Sequence, residues 1–360
     1  MYSQANSSTA VKVFPVMVFC SLLFASCLHE PESVPEPQVD ISPFVSVWER
    51  VEQNYPLIAK KEINWMEIGE TYYNSASVCK TDAELFELIV DMIEELEDPA
   101  LFLISSAGDT IRPYTREFES NVDMTVLIEN YLEPNGYQGN TEGFGWCDPS
   151  VLPYACFSYL PSENDSITMA IFDDFIRQCD SLELSEIIID IRMNPFSAHR
   201  VGGSAMPWYP FDVMSRFVDR MKTAAIYRIR AGLEYNAYHD WHPTIRPAGE
   251  NQYTGTVYLL VGGACTQAAE EMAVNMESLT NVVLVGDTTA GSNTAVFIND
   301  YPSSEGPWGV ATGFCTLLTH SRNWVEGAGF PPDIPVEATV EDFAAGVDPV
   351  MEYAMSLLAR

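Results

Sequence analysis

The residues best suited to chemistry lie in the second half of the chain. Cys265-Thr266-Gln267-Ala268-Ala269-Glu270 follows an apolar run and a Gly-Gly turn and leads into a helical pattern. A thiol, a hydroxyl and a carboxamide therefore stand in succession where a helix begins. Free N–H groups and the helix dipole favour negative charge at such a place. The Gln267 carboxamide has no ionisable proton near neutral pH and is no useful nucleophile. Cys265 reacts only as a thiolate, which needs a nearby cation. His199, His239, His242 and His320 are candidates for that cation, but spacing places none of them beside it. Thr266 is one residue from Gln267, and at a helix start one residue turns the side chain by about 100°.

Other reactive types read as structural. His239-Asp240-Trp241-His242 spaces two histidines so that a helix would put both on one face. Pro243 argues against a helix and no third ligand stands at a convincing spacing, so a surface loop is expected and no metal site. Beyond Cys27 the cysteines are Cys79, Cys147, Cys156, Cys179, Cys265 and Cys315, without a CxxC pair. They are expected as single buried thiols. Glu87, Asp91, Glu94 and Glu95 alternate with an apolar stripe and read as a solvated helix face. Ser204, in Gly202-Gly203-Ser204-Ala205, reads as a loop serine.

The elements that must position these residues follow from periodicity. Residues 42–104 read as a helical N-terminal subdomain. Phe44, Val47, Trp48 and Val51 repeat at helical spacing, Asn64-Trp65 opens a second helix, and Thr81-Asp82-Ala83-Glu84 has the form of a capping box before a third. Residues 105–150 are rich in Pro and Gly and read as a loop-rich connection. Residues 151–360 read as an α/β core. Strands are expected at Tyr154–Tyr159, Ile167–Ile171, Ile187–Ile191, Thr256–Val261 and Val282–Val285, and helices at Phe211–Met221 and Ala268–Met276. Alternation of strands and helices predicts a mostly parallel sheet with covering helices.

The N-terminus reads as a targeting segment. Lys12 precedes an apolar run from Val13 to Ala25, too short to span a bilayer and suited to a signal peptide over residues 1–26. Leu23-Phe24-Ala25-Ser26-Cys27 resembles a bacterial lipobox with Cys27 as the lipidated residue. The Pro- and Glu-rich stretch that follows, within residues 27–41, reads as a tether. The 360-residue chain has a formal net charge of −33 and 47% apolar residues, enough for a sizeable core. The acidic balance disfavours nucleic acid and anionic lipid as partners. Membrane contact is expected only through Cys27, in the cell envelope.

Four segments carry a family resemblance. They are Asp190-Ile191-Arg192-Met193-Asn194-Pro195, the Cys265–Glu270 segment, Gly286-Asp287-Thr288-Thr289-Ala290-Gly291, and Glu326-Gly327-Ala328-Gly329-Phe330-Pro331-Pro332-Asp333-Ile334. In this order, with Leu96-Glu97-Asp98 before them and Gly346-Val347-Asp348 after, they resemble the tail-specific (C-terminal processing) serine peptidases. The closer likeness is to the tricorn-core-like branch, without a PDZ domain. The resemblance implies a ClpP/crotonase-like peptidase core and acyl-transfer chemistry, which needs an activated serine, a base and an oxyanion hole.

This sequence departs from that pattern at each part. The resemblance puts the nucleophile at Gln267. The lysine base of the processing peptidases falls at Ser292, and no lysine follows Lys222. The histidine of the tricorn-like branch falls at Ala100. The glycine pair of the oxyanion turn is replaced by Pro195-Phe196-Ser197, with Gly202-Gly203 further on. Glu326 alone matches a catalytic-type residue, and bonding to loop backbone is its simpler role. The expectation is an exported, catalytically inactive homologue without cofactor. It would bind a peptide or a protein partner through a cleft formed by Arg192, Asn194, Thr266, Gln267, Ala268, Thr289 and Gly291. The alternative is an active serine-type or thiol-type peptidase with a relocated nucleophile at Thr266 or Cys265.

Overall fold

The computed structural model describes residues 39–139, 143–158, 160, 166–193, 209–248, 252–304 and 306–358. The signal segment, Cys27, nearly all of the tether, Asn194, Pro195-Phe196-Ser197, His199 and Gly202-Gly203-Ser204 lie outside the described residues.

Three helices open the fold: α1 (Ser42–Asn54), α2 (Trp65–Ala76) and α3 (Asp82–Glu94). α1 buries Phe44, Val47 and Val51, the spacing that predicted it. α1 and α2 are locked by Trp48 and Trp65, each indole N–H donating to the other's backbone carbonyl, at 3.3 and 3.1 Å. Gly69 makes that approach possible, since a Cβ there would lie 2.0 Å from the Trp48 indole nitrogen. Thr81 caps α3 by accepting from the Glu84 N–H at 3.1 Å. The Glu84 carboxylate turns to the Lys80 N–H at 2.7 Å instead of closing a reciprocal box.

Two large sheets follow. The first runs in the order Ile334–Pro335, Val282–Gly286, Thr256–Val261, Glu186–Asp190, Tyr154–Phe157, Phe144–Trp146, Gln138–Gly139. Its first five strands are parallel and its last two antiparallel. Val257 stands beside Ile187 on one side and Val282 on the other, and apolar side chains fill both faces. That two-sided burial explains the near-continuous apolar runs. The helices Ser166–Ser181 and Gln267–Met276 cover one face, and Pro349–Leu357 covers the other.

The second sheet is antiparallel and was not anticipated. Its centre is Trp308–Leu318, which pairs along one edge with Ala295–Tyr301 and along the other with Phe102–Ile104 and Ile226–Arg230. The three N-terminal helices share a core with Trp308, Val310 and Ala311 of this long strand. Residues 42–104 therefore end in a strand of the second sheet, and their helices pack on it. The helix Gln267–Met276 is tied to the same sheet, because Asn275 Oδ1 accepts the Ala225 N–H at 2.8 Å and the Tyr227 hydroxyl donates to Glu271.

Three local expectations are corrected. Residues 167–171 are not a strand but the first turns of the helix Ser166–Ser181. Its buried Thr168, Met169, Phe172, Phe175, Ile176 and Cys179 follow a helical repeat, and Ile167 is exposed. Residues 239–241 belong to the strand Tyr238–Trp241 rather than a loop, with Asp240 paired to Arg228 at 2.8 Å. The helix expected at Phe211–Met221 is a short turn of helix, Tyr209–Met214, continued by a 3₁₀ turn at Ser215–Phe217.

Candidate active site

The parallel strands Thr256–Val261 and Val282–Gly286 end at the turns that carry the motif residues. After the first, the chain passes Gly262 and Gly263 and reaches Thr266, which is extended at φ −118° and ψ 166°. Gln267 then takes the left-handed region at φ +49° and starts the helix. The result is a sharp strand-to-helix elbow with position 267 at its tip. The Gln267 N–H donates to the Ser292 carbonyl at 2.8 Å, and the carboxamide nitrogen leans on the same oxygen at 3.4 Å. The next amide, that of Ala268, has no partner among the described residues. One helix-terminal donor thus stays available beside a side chain that folds away from it.

Glu270 explains how the neighbouring turn keeps its shape. Its carboxylate is fully buried and accepts from the Thr289 hydroxyl at 2.5 Å, the Gly291 N–H at 2.5 Å, the Ser292 N–H at 2.9 Å and the Asn293 amide at 3.0 Å. Burial raises its pKa, and the four donors pull it back. Thr289 Oγ1 also accepts from the Phe330 N–H at 2.8 Å, which binds the turn to the fourth motif segment. Gly291 sits at φ +64°, and a Cβ there would come within 2.7 Å of the Gly329 nitrogen.

Asn293 joins the two buried acids. Its side-chain amide donates to Glu270, its backbone N–H donates to Glu326 Oε2 at 2.9 Å, and its Oδ1 accepts from Thr316 and Leu317 at 3.0 and 2.9 Å. Burial, then the charge of Asp98, pushes the Glu326 carboxyl up to about 8. Glu326 is therefore largely protonated at neutral pH. Asp98 is buried in turn, accepting from the Tyr55 hydroxyl at 2.8 Å and the Ala100 N–H at 2.9 Å. Asp98 thus stands close enough for its charge to act on Glu326, and two residues on, where the resemblance puts a histidine, Ala100 offers only a buried methyl. Ser292 is fully buried, and its hydroxyl has no hydrogen-bond partner among the described residues.

The structure brings Gln267, Ser292, Thr289, Gly291 and Glu326 into one cluster connected through Glu270 and Asn293. Arg192 is placed elsewhere. It was expected to line the cleft, but its guanidinium is fully buried. It is held by Asp190 at 2.8 Å, by both oxygens of Asp348 at 3.0 Å, and by the Asn121 carbonyl at 3.1 Å. Two carboxylates and a carbonyl occupy it, so it is a structural ion pair rather than a ligand contact. Thr266 is buried as well. Cys265 donates to the Ile191 carbonyl at 3.4 Å, and burial pushes its thiol up to about 12, so it stays protonated at neutral pH. Among the described residues no cluster of three or more His, Cys, Asp or Glu is placed to hold a metal ion.

Sequence reasoning missed Asn293, Asp98 and Tyr55 as members of the site. Asp98 was noted only as the end of a helical motif, and Asn293 only adjoins one. A buried Asn beside a buried Glu has no sequence signal of its own.

Two family models match the chain, Peptidase family S41 over residues 160–336 and the Tricorn protease C1 domain over residues 43–94. Residues 160–336 thus fit peptidase family S41 and residues 43–94 the tricorn C1 domain, on a mixed α/β fold with a ClpP/crotonase-like core. Among solved structures it is similar to a Parabacteroides merdae protein assigned as a peptidase. That match has 23% identity over 88% of this chain and 96% of the other, with a TM-score of 0.68. It is also similar to mature CPAF, with 12% identity over 88% and 95% and a TM-score of 0.56. A lipoprotein from Streptococcus agalactiae matches at 14% identity over 91% and 99%, with a TM-score of 0.52. At such identities these likenesses speak for the fold alone. No curated protein matches the sequence.

Proposed function

We propose that this chain is an exported S41-family protein that no longer catalyses peptide hydrolysis. In this reading it binds an extended peptide, or a segment of a protein partner, through the former active-site cleft. The observation that carries the proposal is Gln267. It sits at the tip of a left-handed elbow where an acyl-transfer enzyme needs a nucleophile, and it offers a carboxamide hydrogen-bonded to the Ser292 carbonyl. Ser292 supplies no base, Ala100 supplies none, and Glu326 is held as a neutral acid by its surroundings. Two features support a binding role: Glu270 clamps the turn from Thr289 to Asn293, and the Ala268 N–H offers a donor.

Export rests on the N-terminal segment, with Cys27 as the proposed lipid attachment in a bacterial envelope. Among the described residues no helix is long and apolar enough to cross a membrane.

The test is to incubate the purified mature protein with unstructured peptides and with serine- and thiol-directed acylating probes. Peptide binding without turnover or labelling is expected. Stoichiometric labelling of one residue together with turnover would overturn the proposal and favour a relocated nucleophile.

A further inference from the structure

Residues 112–120 have no regular secondary structure, yet they are not a loose loop. Exposure alternates along them: Thr115, Glu117 and Glu119 face solvent, whereas Arg116 and Phe118 are half-buried. That is the period of an extended strand with one face seated on the protein. Arg116 donates through Nη2 to the carbonyl of Ala290, at short range, and reaches the Gly291 carbonyl at 3.4 Å. Its guanidinium also stacks 4.6 Å from the Phe118 ring centre. The Glu119 carbonyl lies so near Gly263 that a Cβ there would be 2.5 Å away. Asn121 closes the segment, donating to the Val261 carbonyl at 3.0 Å, while its own carbonyl accepts from Arg192 at 3.1 Å.

These anchors fall on the two turns that flank Gln267. Gly263 belongs to the turn before the elbow, and Ala290 and Gly291 belong to the turn that Glu270 clamps. The Ala290 N–H donates to the Cys265 carbonyl at 3.0 Å, so both turns form one surface. That surface lies beyond the carboxyl ends of the parallel strands, where open α/β sheets take their ligands. An extended segment of this chain therefore already lies across that surface.

We infer that residues 113–120 are a strap that fills the peptide groove in cis. We further infer that the ligand displacing it is an extended peptide with a cationic side chain two residues before an aromatic one. This rests on the peptide-binding reading above and specifies its ligand. The groove presents carbonyl oxygens at Ala290 and Gly291, which take a cation and reject a carboxylate. A formal net charge of −33 draws cationic peptides toward the surface. Arg116 makes no ion pair with a carboxylate among the described residues, so its hold is by carbonyl dipoles that an incoming Arg or Lys reproduces.

The test compares wild type, Arg116→Ala and Arg116→Lys by amide hydrogen exchange over residues 115–120. It also measures anisotropy with a dye-labelled peptide of the sequence of residues 113–120, and with a control peptide whose Arg116 and Phe118 equivalents are alanine. Arg116→Ala is expected to raise strap exchange and to tighten binding of the first peptide by about tenfold or more, as removal of an internal competitor does. Arg116→Lys should stay near wild type, and the control peptide should bind weakly to all forms. Unchanged exchange in Arg116→Ala overturns the strap. Raised exchange with both peptides bound equally overturns the ligand class. Raised exchange with no peptide bound to any form upholds the strap and overturns the peptide-binding reading together with its ligand.

Discussion

The Ser292 carbonyl accepts both hydrogen bonds that Gln267 offers it, from the backbone at 2.8 Å and from the carboxamide at 3.4 Å. The nucleophile position and the base position of the family are thus in direct contact through main chain. The site differs from an acyl-transfer centre in its side chains at these two positions, not in their separation.

Gln267→Ser alone should therefore stay unlabelled by acylating probes, because a hydroxyl without a base is a weak nucleophile. Gln267→Ser combined with Ser292→Lys should label at least about 100-fold faster, since burial at Ser292 lowers the lysine pKa toward that of a base. The rate of probe incorporation at residue 267 is the measurement. Equal rates for the single and double variants would show that some other group already serves as base.

Glu326 should make stability depend on pH. Its folded carboxyl titrates at about 8, pushed there by burial and then by Asp98, against an ordinary 4.5. The folded state holds a proton that the unfolded chain gives up near the ordinary value. The contribution is therefore complete below about 4.5 and is lost as pH rises through about 8. Glu326→Gln keeps an oxygen for the Asn293 N–H and cannot ionise. Its stability relative to wild type should grow across that window by roughly 2–5 kcal/mol. Urea unfolding of both proteins from pH 4 to pH 9 checks this, and parallel curves would refute it.

The ion pair of Arg192 with Asp190 and Asp348 joins the strand Glu186–Asp190 to the start of the last helix. Arg192→Ala leaves two buried carboxylates facing an empty site, and Asp348→Ala leaves the guanidinium half-paired. Each should cost about 3–5 kcal/mol. The midpoint of urea unfolding should fall with an unchanged slope, and a loss below about 1 kcal/mol in both variants would contradict the structural role.

Glu270→Ala strands four donors at once, those of Thr289, Gly291, Ser292 and Asn293. Each unsatisfied buried donor costs about 1–3 kcal/mol before relaxation or water entry. The variant should lose several kcal/mol and show faster amide exchange at Gly291 and Ser292. Exchange at those two amides that matches wild type would mean that the turn is held by something else.

The parallel sheet was legible because its strands are buried on both faces, and that leaves runs such as Ile187–Ile191 without polar interruption. The elbow was legible because a Gly-Gly turn and a helical pattern bracket it. The antiparallel sheet was hidden for the opposite reason. Trp308–Leu318 mixes Gly309, Thr312, Gly313 and Thr316 with apolar residues, so neither alternation nor a clean apolar run marks it. Gly313 is there because a Cβ would come within 2.6 Å of Thr294 and 2.8 Å of Tyr55, a constraint visible only in three dimensions. Arg192 misled for a related reason. An arginine in a motif reads as a ligand contact until its carboxylate partners appear, and Asp348 is distant in sequence. The alternation of Ile167, Met169 and Ile171 imitated a strand inside a helix that buries Met169 with Thr168, Phe172 and Phe175 and leaves Ile167 exposed.

The left-handed backbone at Gln267 carries a separate consequence. A residue with a side chain holds that conformation at a cost of about 1–3 kcal/mol, and an enzyme recovers it by aiming a nucleophile. Here a carboxamide stands at the bend, and the Gln267 N–H donates from it to the Ser292 carbonyl at 2.8 Å. On the non-catalytic reading proposed above, the curvature belongs to the scaffold rather than to a reaction. A glycine would hold the same bend without that cost, so Gln267→Gly should raise stability, and on the proposed non-catalytic reading it should cost no activity.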